Sequence, residues 1–240
     1  MMPKYVFNNE AQAAEARERC YGLLASVYNS LPSPDFVATL VHTDVRSIFS
    51  SSLQSAAVPE PLSQDIEQGL RSVEEFRNKI GKMQEAELLV RLGVERTRLF
   101  RGIKRGYGPP PPYESVYTGG RRVMGDEAQQ IKNLYTEFGY PFSEATKEFP
   151  DYVGLEIDFM RYLCGKEAQA WKTGNQSKAM SLLNIESDFM CKHVGEWVPR
   201  FCDEVLADAK ETLYQGIARL TKAFVLIETE RLKDAVAKTN

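Results

Sequence analysis

Residues Tyr152 to Cys164 spell a helix that cannot lie on a surface. At about 100° per residue, Tyr152, Val153, Leu155, Ile157, Phe159, Met160, Leu163 and Cys164 spread over most of the circumference. Only a narrow wedge of Asp151, Gly154, Asp158, Arg161 and Gly165 is left to face water. A helix with this much apolar surface has to be enclosed by others. Pro150 suits a first helical turn, where its missing N–H has no partner to lose, and Asp151 places a negative charge at the positive end of the dipole, so the helix is predicted to start near Pro150. Glu156 falls in the middle of the apolar arc. Its carboxylate must be paired, neutral or turned into a polar groove, which fits either a structural bond to a neighbouring loop or a binding role.

The cover for that helix is legible along the rest of the chain. Asn8 or Asn9 can cap a first helix carrying Cys20, Leu23, Leu24, Val27, Tyr28 and Leu31, closed by Pro32 and Pro34. Asp35 to Leu53 reads as two short helices with a bend at Thr43-Asp44, followed by a connector from Ser50 to Pro61. Leu62, Ile66, Leu70, Val73 and Ile80 give a third amphipathic stretch stopped near Gly81, and Ala86 to Phe100 a fourth. After the central helix, a Gly174-Asn175 break, a stripe from Ala179 to Met190, another from Val194 to Leu206 containing Pro199, and a last helix from about Glu211 to Ala235 complete the chain. No strand alternation and no internal repeat is visible. The predicted fold is all-α: one compact domain over 1–240 with about 9–11 helices, divided into a helical group at 8–100, a loop at 101–123 and a second group at 124–236.

That loop is the second constraint. From Arg101 to Val123 there is no periodicity, and Gly108 to Tyr117 reads Gly-Pro-Pro-Pro-Pro-Tyr-Glu-Ser-Val-Tyr. Loops of this length inside a domain are functional or disordered, and prolines make this one stiff, so it loses little entropy on binding. Tyr107, Tyr113 and Tyr117 can anchor it. A hinge between the two helical groups fits the composition equally well.

Several chemistries find no support. The net charge is −3, from 30 basic and 33 acidic residues, with no basic run to track phosphates. The four cysteines, Cys20, Cys164, Cys191 and Cys202, form no C-x-x-C pair and read as reduced thiols of a cytoplasmic protein; no signal peptide and no apolar run of membrane-spanning length is present. His42 and His193 are the only histidines, and Cys191 and His193 are predicted on different helix faces, which leaves no metal site. There is no phosphate-binding G-x-x-x-x-G-K-[ST] loop. Gly119-Gly120-Arg121-Arg122 reads as a solvated turn with at most weak anion affinity. Asp151 and Glu156 project differently and neither meets an acid–base partner. Neither catalysis nor a cofactor is indicated.

Four segments stand in register: Glu-Arg-Thr-Arg-Leu-Phe-Arg-Gly (Glu95 to Gly102), Pro-Pro-Tyr-Glu-Ser-Val-Tyr, Pro-Asp-x-x-Gly-Leu-Glu-Ile-Asp-Phe-Met, and Trp-Val-Pro-Arg-Phe-Cys (Trp197 to Cys202). Together, over about Arg17 to Leu232, they resemble the TorD/DmsD/NarJ family of cytoplasmic chaperones dedicated to molybdopterin-containing oxidoreductases. The resemblance implies an all-helical fold without enzymatic activity. It also implies a partner, the apo catalytic subunit of such an oxidoreductase, bound through its twin-arginine signal peptide or another segment until the cofactor is inserted. Carried over by position, the client-binding residues are Pro112, Tyr113, Glu114, Ser115, Tyr117, Asp151, Tyr152 and Glu156. Tyr152 stands where many members have histidine, which removes an ionisable ring and keeps a stacking one. The expected recognition sets Asp151, Glu114 and Glu156 against paired guanidinium groups beside an apolar tyrosine wall. The family also implies a monomer able to exchange helices into a dimer through the long loop. Two other readings remain: a structural subunit that stays with an oxidoreductase, and a helical sensor of a small molecule or nucleotide.

Overall fold

The central helix is indeed enclosed, and Gly154, Arg161 and Gly165, from the wedge predicted to face water, lie against its main neighbour. The computed structural model describes residues 4–54, 56, 58–80, 82–101, 107–119, 125–143 and 147–237, with backbone only for 4–8. In order these form α1 (Lys4–Asn29), α2 (Pro34–His42), α3 (Val45–Leu53), α4 (Glu60–Ile80), α5 (Glu85–Phe100), α6 (Glu114–Tyr117), α7 (Asp126–Glu137), α8 (Val153–Lys172), α9 (Gln176–Phe189), a π-helical turn (Met190–Val194), α10 (Gly195–Asp208) and α11 (Thr212–Ala237). Among the described residues the one extended pairing is an isolated antiparallel bridge between Tyr113 and Tyr152. The all-α expectation is met.

α8 lies along α1. Gly154 carries no side chain because a Cβ there would meet the Asn29 side chain at 2.1 Å, and the Asn29 amide donates to the Gly154 carbonyl at 2.9 Å. The small and polar wedge is therefore a helix-packing groove, a role that small residues play as readily as solvent exposure. α4 and α11 meet in the same way: a Cβ on Gly69 would lie 2.8 Å from Leu220 Cγ and 3.1 Å from the Gly216 carbonyl oxygen. Since α1 packs on α8 and α4 on α11, each half of the chain supplies the other's packing partner.

A buried ionic group ties four of these helices. Arg17 on α1 binds Glu167 of α8 and, at 2.5 Å, Glu186 of α9, with Glu228 of α11 at 3.9 Å; Glu228 in turn accepts from Arg231 at 2.7 Å. Burial pushes the Glu186 carboxyl up to about 7 against the opposing pull of Arg17.

Three boundaries depart from expectation. α1 begins at Lys4, so Asn8 and Asn9 lie inside it rather than capping it, and Leu31, predicted to pack inward, lies beyond its end and is 67 % exposed. α8 begins at Val153, with Tyr152 as N-cap, not at Pro150. The Pro150-Asp151 pair forms a turn instead, because the Asp151 side chain is used elsewhere.

Candidate functional site

The prolines that stiffen 109–112 also remove their N–H donors, so this stretch can dock only through carbonyls and through the residues that follow. It does both. The Pro112 carbonyl accepts from Val153 N at 3.0 Å, and Glu114 N donates to the Asp151 carbonyl at 3.0 Å, which makes the two-rung bridge. Asp151 then closes the first turn of α6: its Oδ2 accepts from Ser115 N at 3.1 Å and from Ser115 Oγ at 2.6 Å. Here a carboxylate satisfies a helix N-terminus 36 positions away in sequence. The wedge residue expected in water is 0 % exposed.

Three tyrosines pin the segment to different neighbours. Tyr113 packs on Phe149 and Tyr152, with centroids 5.8 and 5.6 Å apart, and its hydroxyl donates to Glu148 Oε2 at 2.6 Å; Glu148 also accepts from Arg101 at 2.8 Å. Tyr152 is buried and donates to the Tyr28 carbonyl at 2.7 Å, fastening the start of α8 to the end of α1. Tyr117, half-buried, lies against Trp197 at 5.2 Å and Phe201 at 6.1 Å, with Arg200 over its ring and its hydroxyl 3.2 Å from Glu204 Oε2.

Beneath α6 three carboxyl groups converge. Glu114 meets His193 Nδ1 at 2.9 Å. Glu156, 0 % exposed, accepts from Trp197 Nε1 at 3.0 Å through Oε2, while its Oε1 and Asp151 Oδ1 have no partner among the described residues. Burial, reinforced by Glu114 and Asp151, holds the Glu156 carboxyl well above the usual range; burial also raises Glu114, against the pull of His193, and Asp151, against its bonds to Ser115. Glu156 is thus a buried structural acid whose partner is a helix residue rather than a loop. The expectation that Asp151, Glu114 and Glu156 border an open groove does not hold, because all three are buried beneath α6.

The structure brings Pro112 through Ser115 directly against Asp151 and Tyr152, and it adds residues that the sequence reading did not name, which hold them in place. His193 sits in the π-helical turn, where one inserted residue shifts the helix face and brings its ring under Glu114. Trp197 was visible as part of a recurring segment; Arg101 and Glu148 carry no local signal at all. Of the Gly119-Gly120-Arg121-Arg122 segment, the last three residues lie outside the described residues. Among the described residues no group of three His, Cys, Asp or Glu side chains is arranged to hold a metal, and no helix is long and apolar enough to cross a membrane.

The nitrate reductase delta subunit family matches residues 60–203, from the start of α4 into α10. The chain is similar nearly end to end to the chaperone protein TorD of Vibrio cholerae serotype O1, with 26% identity over 226 residues, 94% of this chain and 96% of the relative. It is also similar to the chlorate reductase assembly chaperone protein of Ideonella dechloratans, 26% identical over 111 residues (46% of this chain, 55% of the relative). The selenate reductase assembly chaperone protein of Thauera selenatis is 29% identical over 90 residues, 36% of this chain and 46% of the relative.

Proposed function

Since the chain belongs to the nitrate reductase delta subunit family, the TorD/DmsD/NarJ assembly chaperones, we propose that it binds the apo catalytic subunit of a molybdopterin-containing oxidoreductase in the cytoplasm. It is a maturation chaperone and not an enzyme. The bound element is the signal peptide or another segment of the client, held until the cofactor is in place. The single observation that carries this reading is the match to a named chaperone over nearly the whole of both chains.

The client-holding surface in this reading is the one built on Pro112, Tyr113, Glu114, Ser115, Tyr117, Asp151, Tyr152 and Glu156. Their support is architectural: Asp151 and Glu114 anchor α6 from below, Tyr152 ties the start of α8 to α1, Glu156 ties α8 to α10, and half-buried Tyr117 borders solvent. A preorganised surface of this kind loses little entropy when it takes up a flexible segment. The 101–123 segment serves as the hinge between the helical groups at 8–100 and 124–236 and permits helix exchange into a dimer, with the monomer dominant.

Deleting the gene is expected to leave one oxidoreductase accumulating without its cofactor, and the wild-type gene to restore loading. Complementation by Tyr113→Ala is expected to restore less, at unchanged helical content. Full cofactor loading in the deletion strain, across all its molybdoenzymes, contradicts the proposal.

A further inference from the structure

A helix as short as α6, Glu114 to Tyr117, does not hold its own shape, since isolated helices under about 12 residues are marginal in water. What seats it therefore decides whether the surface around Tyr113 and Tyr117 exists. The seat is acidic. Asp151, from the turn before α8, accepts from Ser115; Glu156 of α8 accepts from Trp197 of α10; and Glu114, on α6 itself, meets His193 of the π-helical turn at 2.9 Å. All three carboxyl groups and the imidazole are buried, and Asp151 Oδ1 and Glu156 Oε1 have no partner among the described residues. Among the described residues His193 is the one basic side chain bonded to any of the three. The ionisable groups of the surrounding elements do not offset them. From α7, half-buried Glu127 adds a fourth carboxylate beside Gly119 and Gly125 and pushes Glu114 and Asp151 the same way as burial does. Asp126 next to it is exposed, Lys132 is engaged, and the Tyr135 hydroxyl donates to the Pro150 carbonyl at 3.0 Å. Lys192, beside His193, pairs with Asp188 at 2.8 Å, and Arg200 of α10 pairs with Glu204 at 3.5 Å.

Fully ionised, the seat would set three enclosed carboxylates against one imidazolium, a charge excess that an enclosed site does not tolerate. Burial lifts each of the three carboxyls above its ordinary value. We propose that this cluster is a proton-operated latch: α6 stays seated while the acids beneath it keep their protons, and lifts as rising pH removes them. A group raised in the seated state favours seating fully below its ordinary value and loses that contribution as pH rises through the seated one. Seating thus weakens by up to about tenfold per pH unit for each proton released. The latch stands on the geometry of the cluster; that it governs client holding rests on the chaperone reading, with the seated surface as the holding state.

The test is hydrogen exchange with mass spectrometry on the full-length protein from about pH 5.5 to about pH 8, each rate corrected for the pH dependence of an unstructured amide. The amides of Glu114, Ser115, Val116 and Thr118 report seating, because each donates to Asp151 or within the 113–118 turn. They are expected to exchange by local opening, well ahead of the amides of α11, with protection falling about three- to tenfold per pH unit. Glu114→Gln keeps the shape and cannot ionise, and is expected to flatten that slope. Glu127→Gln, outside the three enclosed acids, is expected to raise protection about threefold at about pH 8. Protection that does not vary with pH, an unchanged slope in Glu114→Gln, or protection equal to that of α11 overturns the latch. Recovery of an apo oxidoreductase subunit on the tagged protein is expected to drop about threefold when the wash moves from about pH 6 to about pH 8, and to stay level in Glu114→Gln. Equal recovery by wild type at both values overturns the role in client holding, whereas no recovery at either counts against the chaperone reading and leaves the exchange result to decide the latch.

Discussion

Replacing Glu156 by Gln removes a buried acid while keeping its shape and its acceptor for the Trp197 indole. In the folded chain burial and the nearby Glu114 and Asp151 raise the Glu156 carboxyl well above its ordinary value, whereas in the unfolded chain it ionises near the reference value of about 4.3. Above that value the folded state binds a proton that the unfolded state has released. Stability from this group is therefore fully present below the unfolded pKa and is lost as pH rises towards the folded one. The slope is about 1.4 kcal/mol per pH unit for one such group. Urea unfolding followed by tryptophan fluorescence at about pH 5 and pH 6 should show Glu156→Gln losing stability less steeply than wild type by that amount, with an unchanged dependence on urea. Glu156→Ala serves as the contrast: it orphans the Trp197 N–H and leaves a cavity, for a loss of about 2–4 kcal/mol relative to Glu156→Gln at any pH. Parallel pH profiles for wild type and Glu156→Gln would refute the account of a buried acid whose carboxyl is raised by burial.

Arg17→Met leaves Glu167, Glu186 and Glu228 without their shared partner and is expected to destabilise by about 3–5 kcal/mol at neutral pH. Acidification should restore part of that loss, because protonated carboxyls no longer need the guanidinium; a urea series at two pH values checks both. Asp151→Ala removes the acceptor for both Ser115 donors and is expected to cost about 1–3 kcal/mol and to speed proteolysis within 107–119, read by mass spectrometry of limited digests. Gly69→Ala places a Cβ within 2.8 Å of Leu220 and is expected to cost about 1–3 kcal/mol in thermal or urea unfolding, with overall helicity retained.

Helical periodicity located most of the helices outside α6, because each buries one stripe and the spacing of that stripe is a local property of the chain. What periodicity cannot see is which distant group a polar residue serves. Pro150-Asp151 matched the signature of a helix start, yet Asp151 spends its oxygen on Ser115, and the helix begins later, at Val153. The wedge of Gly154 and Gly165 matched a solvated face, yet small residues equally mark close packing, here against Asn29 and Glu18 of α1. Glu156 was legible as an anomaly, a carboxylate among apolar neighbours, but its indole partner lies on α10, 41 positions away. The Glu114–His193 contact depends on a π-helical turn, whose single inserted residue leaves no periodic trace.

The most direct test of the central claim is an affinity pull-down of the tagged protein from its own cells, grown anaerobically, with mass spectrometry of what accompanies it. The account predicts recovery of the catalytic subunit of a molybdopterin oxidoreductase without its cofactor. Recovery of no oxidoreductase subunit, from cells shown to express several, would contradict it.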